Sequence, residues 1–345
     1  MHALTRKGDA EMKVVVTGAG GFIGSHLCRH LKNKGNSVRA VDTKWDDYIT
    51  GYADQYITAD LRKAGSALKA AKGMNRVYNL AANMGGIGYI TNVKAEVMRD
   101  NVLINVNMLE AARKNKVDRY FFSSSACVYP TYKQGSPEVT PLKEDEAYPA
   151  DPDNEYGWEK LFTERLCIDY MADFGMKVRI ARFHNIYGPE GTYQGGREKA
   201  PAALCRKVAE ASNPGTITIW GDGKQTRSFC YIDDCVRGIE TLMESDYAEP
   251  LNIGSDRLVT IDELADMIIK ISGKEIRKVY DPEKPQGVRG RNADLTLVAK
   301  EIGWKPSVSL EIGLEKTYQW IEKKVIEDRG KEMKSGSSRS LQVYG

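Results

Sequence analysis

Apolar and polar positions along the chain fall into short β-branched runs alternating with longer stretches of helical spacing. The first run, Lys13-Val14-Val15-Val16-Thr17, enters a glycine-rich turn; Phe22, Ile23, His26, Leu27, His30 and Leu31 then recur at helical spacing until Gly35. Ser37 to Val41 reads as a second strand that closes on Asp42. Tyr56 to Thr58, Arg76 to Leu80, Tyr120 to Ser124 and Val178 to Phe183 read as further strands, with helical patterns over Val102 to Lys114 and Trp158 to Phe174. Such alternation predicts an α/β fold with a parallel, doubly wound sheet. After Tyr187-Gly188-Pro189 the texture changes. Residues 189–200 are rich in Gly, Pro and charge, as expected of a loop that covers a substrate. A strand over Ile217 to Trp220 and helices over Ile261 to Ile271 and Ile312 to Ile326 predict a smaller lobe. The expected organisation is a flexible extension at 1–12 and a first domain at 13–187, to which 228–250 return. Residues 188–227 and 251–328 would form a substrate-binding domain, and 329–345 a flexible tail.

Composition narrows the classes of function. At 345 residues the chain can bury a substantial core, and a net charge of +3 is too small to imply a nucleic-acid or membrane partner. Cys28, Cys127, Cys167, Cys205, Cys230 and Cys235 are scattered without a CxxC pair, which suits reduced thiols better than disulfides or zinc. No apolar run approaches a membrane span, and the first residues lack a signal peptide's apolar stretch, so a cytoplasmic protein is expected. His26 and His30 lie four apart on a predicted helix, but no further ligand accompanies them; they are read as packing or surface residues, and no metal site is expected.

The turn Gly18-Ala19-Gly20-Gly21-Phe22-Ile23-Gly24 carries the first chemistry. A phosphate can approach backbone N–H groups at a helix N-terminus only where side chains do not intrude. Gly18, Gly21 and Gly24 supply the tight turn, the close approach and close helix–strand packing. Asp42, at the end of the next strand, is placed to accept hydrogen bonds from adenosine ribose hydroxyls, which favours NAD over NADP. Tyr156 and Lys160 are separated by one helical turn and share a face. A lysine ammonium there would stabilise the phenolate and lower the phenol pKa toward neutrality, making Tyr156 a proton acceptor for an alcohol being oxidised. A hydroxyl from Ser123-Ser124-Ser125, directly after a predicted strand, could bind the same oxygen. Arg227, Arg289 and Arg291 could grip a diphosphate, joined by Lys207, although surface ion pairing competes for each. Asn185 could bond the phosphate or sugar, or simply form a turn.

The glycine turn, Asp42, Asn79-Leu80-Ala81-Ala82, the serine run and Tyr-x-x-x-Lys, in this order, resemble the extended short-chain dehydrogenase/reductases from Met12 to about Lys324. The resemblance implies a Rossmann-type domain followed by a smaller C-terminal α/β substrate domain. It implies a catalytic set of Ser125, Tyr156 and Lys160, with Lys160 also holding the nicotinamide ribose. Around NAD it places Gly18, Gly21, Phe22, Ile23, Gly24, Asp42, Leu80, Ala81 and Ala82, with Asp60 and Leu61 at the adenine. Within that family, Met84-Gly85-Gly86-Ile87-Gly88, Arg182 to Pro189, Gly195 to Pro201, Trp220 to Arg227 and Gly287 to Asn292 are similar to nucleotide-sugar epimerases that act on GDP-mannose. Substrate contacts implied by this likeness are Gly85, Ser125, Ala126, Cys127, Asn185, Glu198, Lys199, Ala200, Lys207, Gln225, Thr226, Arg227 and Arg289. Gly336 to Arg339 would correspond to a late substrate-contacting serine, whereas Lys143 to Pro152 and the tail depart from the pattern. The guanine base and a homodimer built through two helices per subunit are likewise expectations from the family.

The expected chemistry agrees. A C3 or C5 proton of a pyranose is too weakly acidic to remove, but a ketone at C4 makes both positions acidic. NAD would be reduced and reoxidised within one turnover. Inverting two carbons needs a base on one ring face and an acid on the other. Cys127, two residues after Ser125, is the base candidate, a thiol that a nearby cation would hold as thiolate. The resemblance assigns the acid to Lys199. Another sugar-nucleotide epimerase or a 4,6-dehydratase is the alternative, although Ala126-Cys127 follows Ser125 where a dehydratase needs an acidic pair. A non-catalytic NAD-binding regulator is the alternative from a different class.

Overall fold

The computed structural model describes residues 11–45 and 51–340, and for 331–340 the helical backbone alone. The expected extension therefore lies outside the described residues up to residue 10, as do the last five residues and the side chains of Gly336 to Arg339. In chain order the first half contains β1 (Lys13–Thr17), α1 (Phe22–Asn33), β2 (Ser37–Asp42), β3 (Gln55–Thr58), α2 (Ala64–Ala71) and β4 (Arg76–Asn79). It continues with α3 (Ile87–Ile90), α4 (Lys94–Lys114), β5 (Arg119–Ser125), α5 (Glu155–Phe174), β6 (Val178–Phe183) and β7 (Ile186–Tyr187). The second half contains α6 (Ala200–Glu210), β8 (Gly215–Trp220), β9 (Thr226–Ser228), β10 (Cys230–Tyr231), α7 (Ile232–Glu244) and β11 (Leu251–Ile253). It ends with β12 (Leu258–Thr260), α8 (Ile261–Ser272), β13 (Ile276–Asp281), β14 (Gly290–Arg291), α9 (Thr296–Ile302) and α10 (Leu310–Ser340).

Seven strands form one sheet in the order β11-β6-β5-β4-β1-β2-β3, every pair parallel. The order reverses at β1, which is where open α/β sheets present a crevice beyond the strand ends. Strand alternation divides the core between the two faces. Val14 and Val16 join Leu27 and Leu31 of α1 and Cys235 and Ile239 of α7 on one side. Val15 and Val77 join Ala67 of α2, Met108 of α4 and Cys167 of α5 on the other. The expected doubly wound parallel sheet is thus what the chain forms.

The second lobe holds the parallel pair β8 and β13 and the three-stranded sheet β12-β9-β14, packed with α6, α8 and α10. One expected limit is corrected. The segment returning to the first sheet does not stop at 250, because Leu251, Asn252 and Ile253 pair with Ala181, Arg182 and Phe183 at its edge. The backbone of 329–340 continues α10. α4 also begins eight residues before the apolar pattern suggested, at Lys94.

Candidate active site

The glycine turn owes its shape to what surrounds it. Gly18 adopts φ +69°, and a β-carbon on it would stand 2.8 Å from the Ala81 nitrogen at the end of β4. A β-carbon on Gly24 would overlap the Gly18 carbonyl, and one on Gly20 would overlap that of Lys44. Gly21 stands at the N-cap of α1 with no side chain capping the helix, which leaves the first N–H groups turned to the cavity. Asp42 Oδ2 accepts from the Gly20 N–H (2.9 Å), and its other oxygen accepts from the Thr43 N–H (2.6 Å). The Thr17 hydroxyl accepts from the N–H groups of Leu80 and Ala81, tying β4 to the turn. Here lies a cavity of about 500 Å³, lined by the glycines, Phe22, Ile23, Asp42, Asp60, Leu61, Leu80, Ala81, Ala82 and Tyr156. Backbone-walled and closed to any β-carbon, with a carboxylate at its rim, the cradle fits a dinucleotide.

A second cavity of about 280 Å³ adjoins it and shares Met84, Gly85, Ser125, Tyr156, Phe183, Ile186 and Lys199 with the first. Its wall comes from both lobes. Ser125, the last residue of β5, caps a short turn by accepting from the Cys127 N–H (3.2 Å). Asn154 caps α5 by accepting from the Gly157 N–H (3.0 Å), and a β-carbon on Gly157 would overlap the Cys127 carbonyl. The start of α5 is therefore pressed onto the serine–cysteine turn, which carries Tyr156 to Ser125. Lys199 stands at the N-cap of α6, at the end of the loop expected to cover the substrate. That loop is pinned: the Gly86 N–H donates to the Arg197 carbonyl (2.9 Å), and the Arg197 guanidinium lies 3.8 Å from the Tyr89 ring centroid.

Gly85, Ala126, Cys127, Asn185, Glu198, Ala200, Lys207, Gln225 and Arg227 all line this second cavity, as expected of substrate contacts. Thr226 and Arg289 do not. Thr226 turns away from it, its hydroxyl donating to the Pro137 carbonyl (2.5 Å). Arg289 spends its fork on the Asp222 carboxylate, 3.0 Å from each oxygen, and on Gln286. Arg291, the third arginine expected at a diphosphate, does line the cavity, beside Asp153 and Phe229, which sequence patterning did not single out. Asn185 takes the left-handed φ +44° and donates to the Ser228 carbonyl (2.9 Å), as a turn-forming asparagine does, and it also lines the cavity.

Charge at the site departs from expectation in one respect. Burial pushes the Tyr156 phenol well above its usual range, Glu159 and Cys127 push the same way, and a hydrogen bond with Ser125 opposes them. Lys160 does not line either cavity; it is fully buried, 3.8 Å from a Glu159 oxygen and 5.3 Å from the Tyr156 ring centroid. Burial lowers the Lys160 pKa against the opposing pull of Glu159. In the protein alone, desolvation therefore raises the Tyr156 phenol where a lowering by Lys160 was expected. Burial likewise lowers Lys199 and Lys207, and lowers Arg227 with help from Arg291. Crowded, partly desolvated cations of this kind suit an anionic ligand.

His26 lies against the Pro189 carbonyl and His30 pairs with Glu240. Among the described residues no group of three or more His, Cys, Asp or Glu side chains is placed to hold a metal ion. No helix among them is long and apolar enough to cross a membrane.

Residues 14–254 match the model of the NAD dependent epimerase/dehydratase family. The chain is 46% identical over 336 residues to GDP-mannose 3,5-epimerase of Arabidopsis thaliana, covering 97% of this chain and 87% of that one. It is 29% identical to GDP-L-fucose synthase of Escherichia coli (strain K12), over 90% of this chain and 97% of the relative. Among solved structures, UDP-glucose 4-epimerase of Thermotoga maritima with UDP-glucose superposes with a TM-score of 0.83 at 27% identity, covering 91% of this chain and all of that one. UDP-glucuronic acid 4-epimerase of Bacillus cereus, in complex with UDP-glucuronic acid and NAD, superposes at 0.78 with 31% identity, over 90% of this chain and 99% of that one.

Proposed function

Because this chain belongs to the NAD dependent epimerase/dehydratase family, we propose that it is an isomerase of GDP-mannose, inverting C3 and C5 by way of a transient ketone at C4. The products are GDP-L-galactose and, from partial inversion, GDP-L-gulose. The observation that carries this reading is the meeting of Tyr156, Ser125 and Lys199 where the two cavities overlap, with Cys127 in the second cavity only. A site for oxidation at one carbon and proton exchange at its neighbours needs that overlap.

Gly18, Gly21, Gly24 and Asp42 hold the dinucleotide, with Phe22, Ile23, Asp60, Leu61, Leu80, Ala81 and Ala82 closing around it. When bound, NAD supplies a reversible hydride acceptor at C4 and, in its oxidised form, a positive charge that favours the Tyr156 phenolate. Tyr156 takes the proton of the 4-hydroxyl and later returns it, while the Ser125 hydroxyl holds the same oxygen. Lys160, behind the tyrosine, supplies charge from within the protein. Cys127 removes the proton beside the ketone from one ring face and Lys199 delivers one to the other, first at C5 and then at C3. Arg227 and Lys207 balance the diphosphate. Residues 13–187 with the returning strand form the cofactor domain, and the second lobe binds the sugar nucleotide.

The enzyme works in the cytoplasm as a homodimer. All six thiols are free, which suits a reducing compartment. Two adjoining helices leave large apolar side chains exposed, Met98 and Leu103 on α4 and Trp158 and Phe162 on α5, a face suited to a second copy. Incubation with GDP-mannose in heavy water tests the chemistry: deuterium is expected at C3 and C5 by NMR, and its absence at both overturns the reading.

A further inference from the structure

Cys127 is the one cysteine of the six that is not buried. Its sulfur accepts a hydrogen bond from Nη1 of Arg291 at 3.3 Å. A guanidinium has donors only, so the sulfur must present a lone pair to it. The same arginine is fixed from its other side, Nε donating to Gln134 Oε1 (2.5 Å). Gln134 is in turn buried, its amide donating to the Tyr129 and Pro130 carbonyls. The backbone of β14 is held on the same segment, since the N–H groups of Arg289 and Gly290 both donate to the Gln134 carbonyl. Nη2 lies 3.5 Å from Asp153 Oδ2 and makes no hydrogen bond.

With Nε and one N–H of Nη1 committed, Arg291 is already engaged from two sides before a ligand arrives. Other charges reach Cys127 more weakly: Lys199 from the loop before α6, Lys160 from α5 and Arg227 from β9 are positive. Against them stand the Asp153 carboxylate, near Nη2 of Arg291, and the Tyr156 phenol. Four cations thus face the sulfur and one of them touches it.

We propose that Arg291 is a positioning residue for Cys127, holding its sulfur as the thiolate and aimed into the second cavity before substrate arrives. This rests on the reading of Cys127 as the base that removes the sugar proton. A thiolate made ready in the free enzyme lets proton removal begin without a preceding deprotonation of the thiol.

Substrate-free holoenzyme treated with iodoacetamide between pH 6 and 9 tests it, with alkylation of the Cys127 peptide followed by mass spectrometry. At pH 7 the wild type is expected to react at least about tenfold faster than Arg291→Met, with the rates converging toward pH 9, where ordinary thiols also ionise. Arg291→Lys, which keeps the charge and loses the fork, should fall between. A purely structural role or a diphosphate-only role predicts either no difference or an equal ratio at every pH, and either result overturns the proposal. Should Arg291→Met fail to fold, the wild-type profile decides: a rate that climbs with pH like that of a free cysteine overturns it. The epimerase reading stands or falls separately on deuterium exchange with GDP-mannose, because the alkylation assay contains no substrate.

Discussion

Gly86 and Glu198 stand so close that a β-carbon on the glycine would overlap the glutamate's carbonyl oxygen. Gly86 has a φ of −66°, ordinary for any residue, so alanine there is opposed by this encounter alone. Gly86→Ala is therefore expected to push back the segment that carries Lys199. Turnover of GDP-mannose should drop about a hundredfold, in line with a displacement of about 1 Å at a reacting group. Bound NAD, read from its absorbance after release, should be unchanged, because a β-carbon on Gly86 meets neither the glycine turn nor Asp42.

Tyr156→Phe removes the proposed proton acceptor and should cost about 10²- to 10⁴-fold in turnover. The phenol itself can be followed. Since burial raises its pKa, NAD-depleted protein should show phenolate absorbance from Tyr156 only above the pH at which ordinary tyrosines ionise. Wild type minus Tyr156→Phe isolates that signal, and reloading with NAD should move it to lower pH.

Lys199 has its pKa lowered by burial, with Cys127 and Cys235 opposing. As the group that delivers a proton, it must be protonated at the start, so activity should fall on the alkaline side before an ordinary lysine would titrate. Lys199→Arg, whose guanidinium does not give up a proton, and Lys199→Met should both abolish inversion at C3 and C5, while Cys127 can still exchange a proton on its own ring face. The pH profile of product formation measures the alkaline limb, and product analysis of the variants measures the loss of inversion.

His184 is wholly buried and its pKa is pushed down to about 3, first by burial, with a hydrogen bond to Asn252 opposing. Asn252 Oδ1 already accepts from the Tyr129 hydroxyl (2.7 Å), so His184 donates to it through Nε2 and stays neutral. The folded state refuses a proton that the unfolded chain takes up below its ordinary pKa of about 6.5. His184 therefore contributes a loss of stability as pH falls from about 6.5 toward 3, at most about 1.4 kcal/mol per pH unit. Urea unfolding of His184→Gln at pH 7 and pH 5 should show a smaller decline than the wild type.

Much of this architecture is legible from residue order because its signals are local. The β-branched runs of β1, β2 and β6 and the glycine turn after β1 each state their structure within a few residues. The start of α4 is not legible in that way. Beside Val97 its buried face there is polar, with Asp100, Asn101 and Asn105 buried, and Asn101 and Asn105 bond to Glu159 across the helix pair. A search for apolar periodicity passes over such a face. Arg289 and Arg291 show the second limit. They look interchangeable in sequence, and only the distant partners Asp222 and Cys127 separate them. The i, i+4 spacing of Tyr156 and Lys160 correctly implied proximity, yet it carries no information about burial, which sets the charge of both.

The strand β11 has a consequence for synthesis. Residues 251–253 complete a sheet whose neighbouring strand ends at residue 183, so the ribosome must deliver roughly seventy further residues, most of the first half of the other lobe among them, before the edge of β6 is covered. Until then Val178 to Phe183, almost wholly buried in the finished protein, borders an open edge able to pair with another nascent chain. A chain cut after residue 187 keeps the glycine turn and Asp42 and loses that cover. Its failing would be aggregation, and a fragment extended to Ile253 should remain in solution.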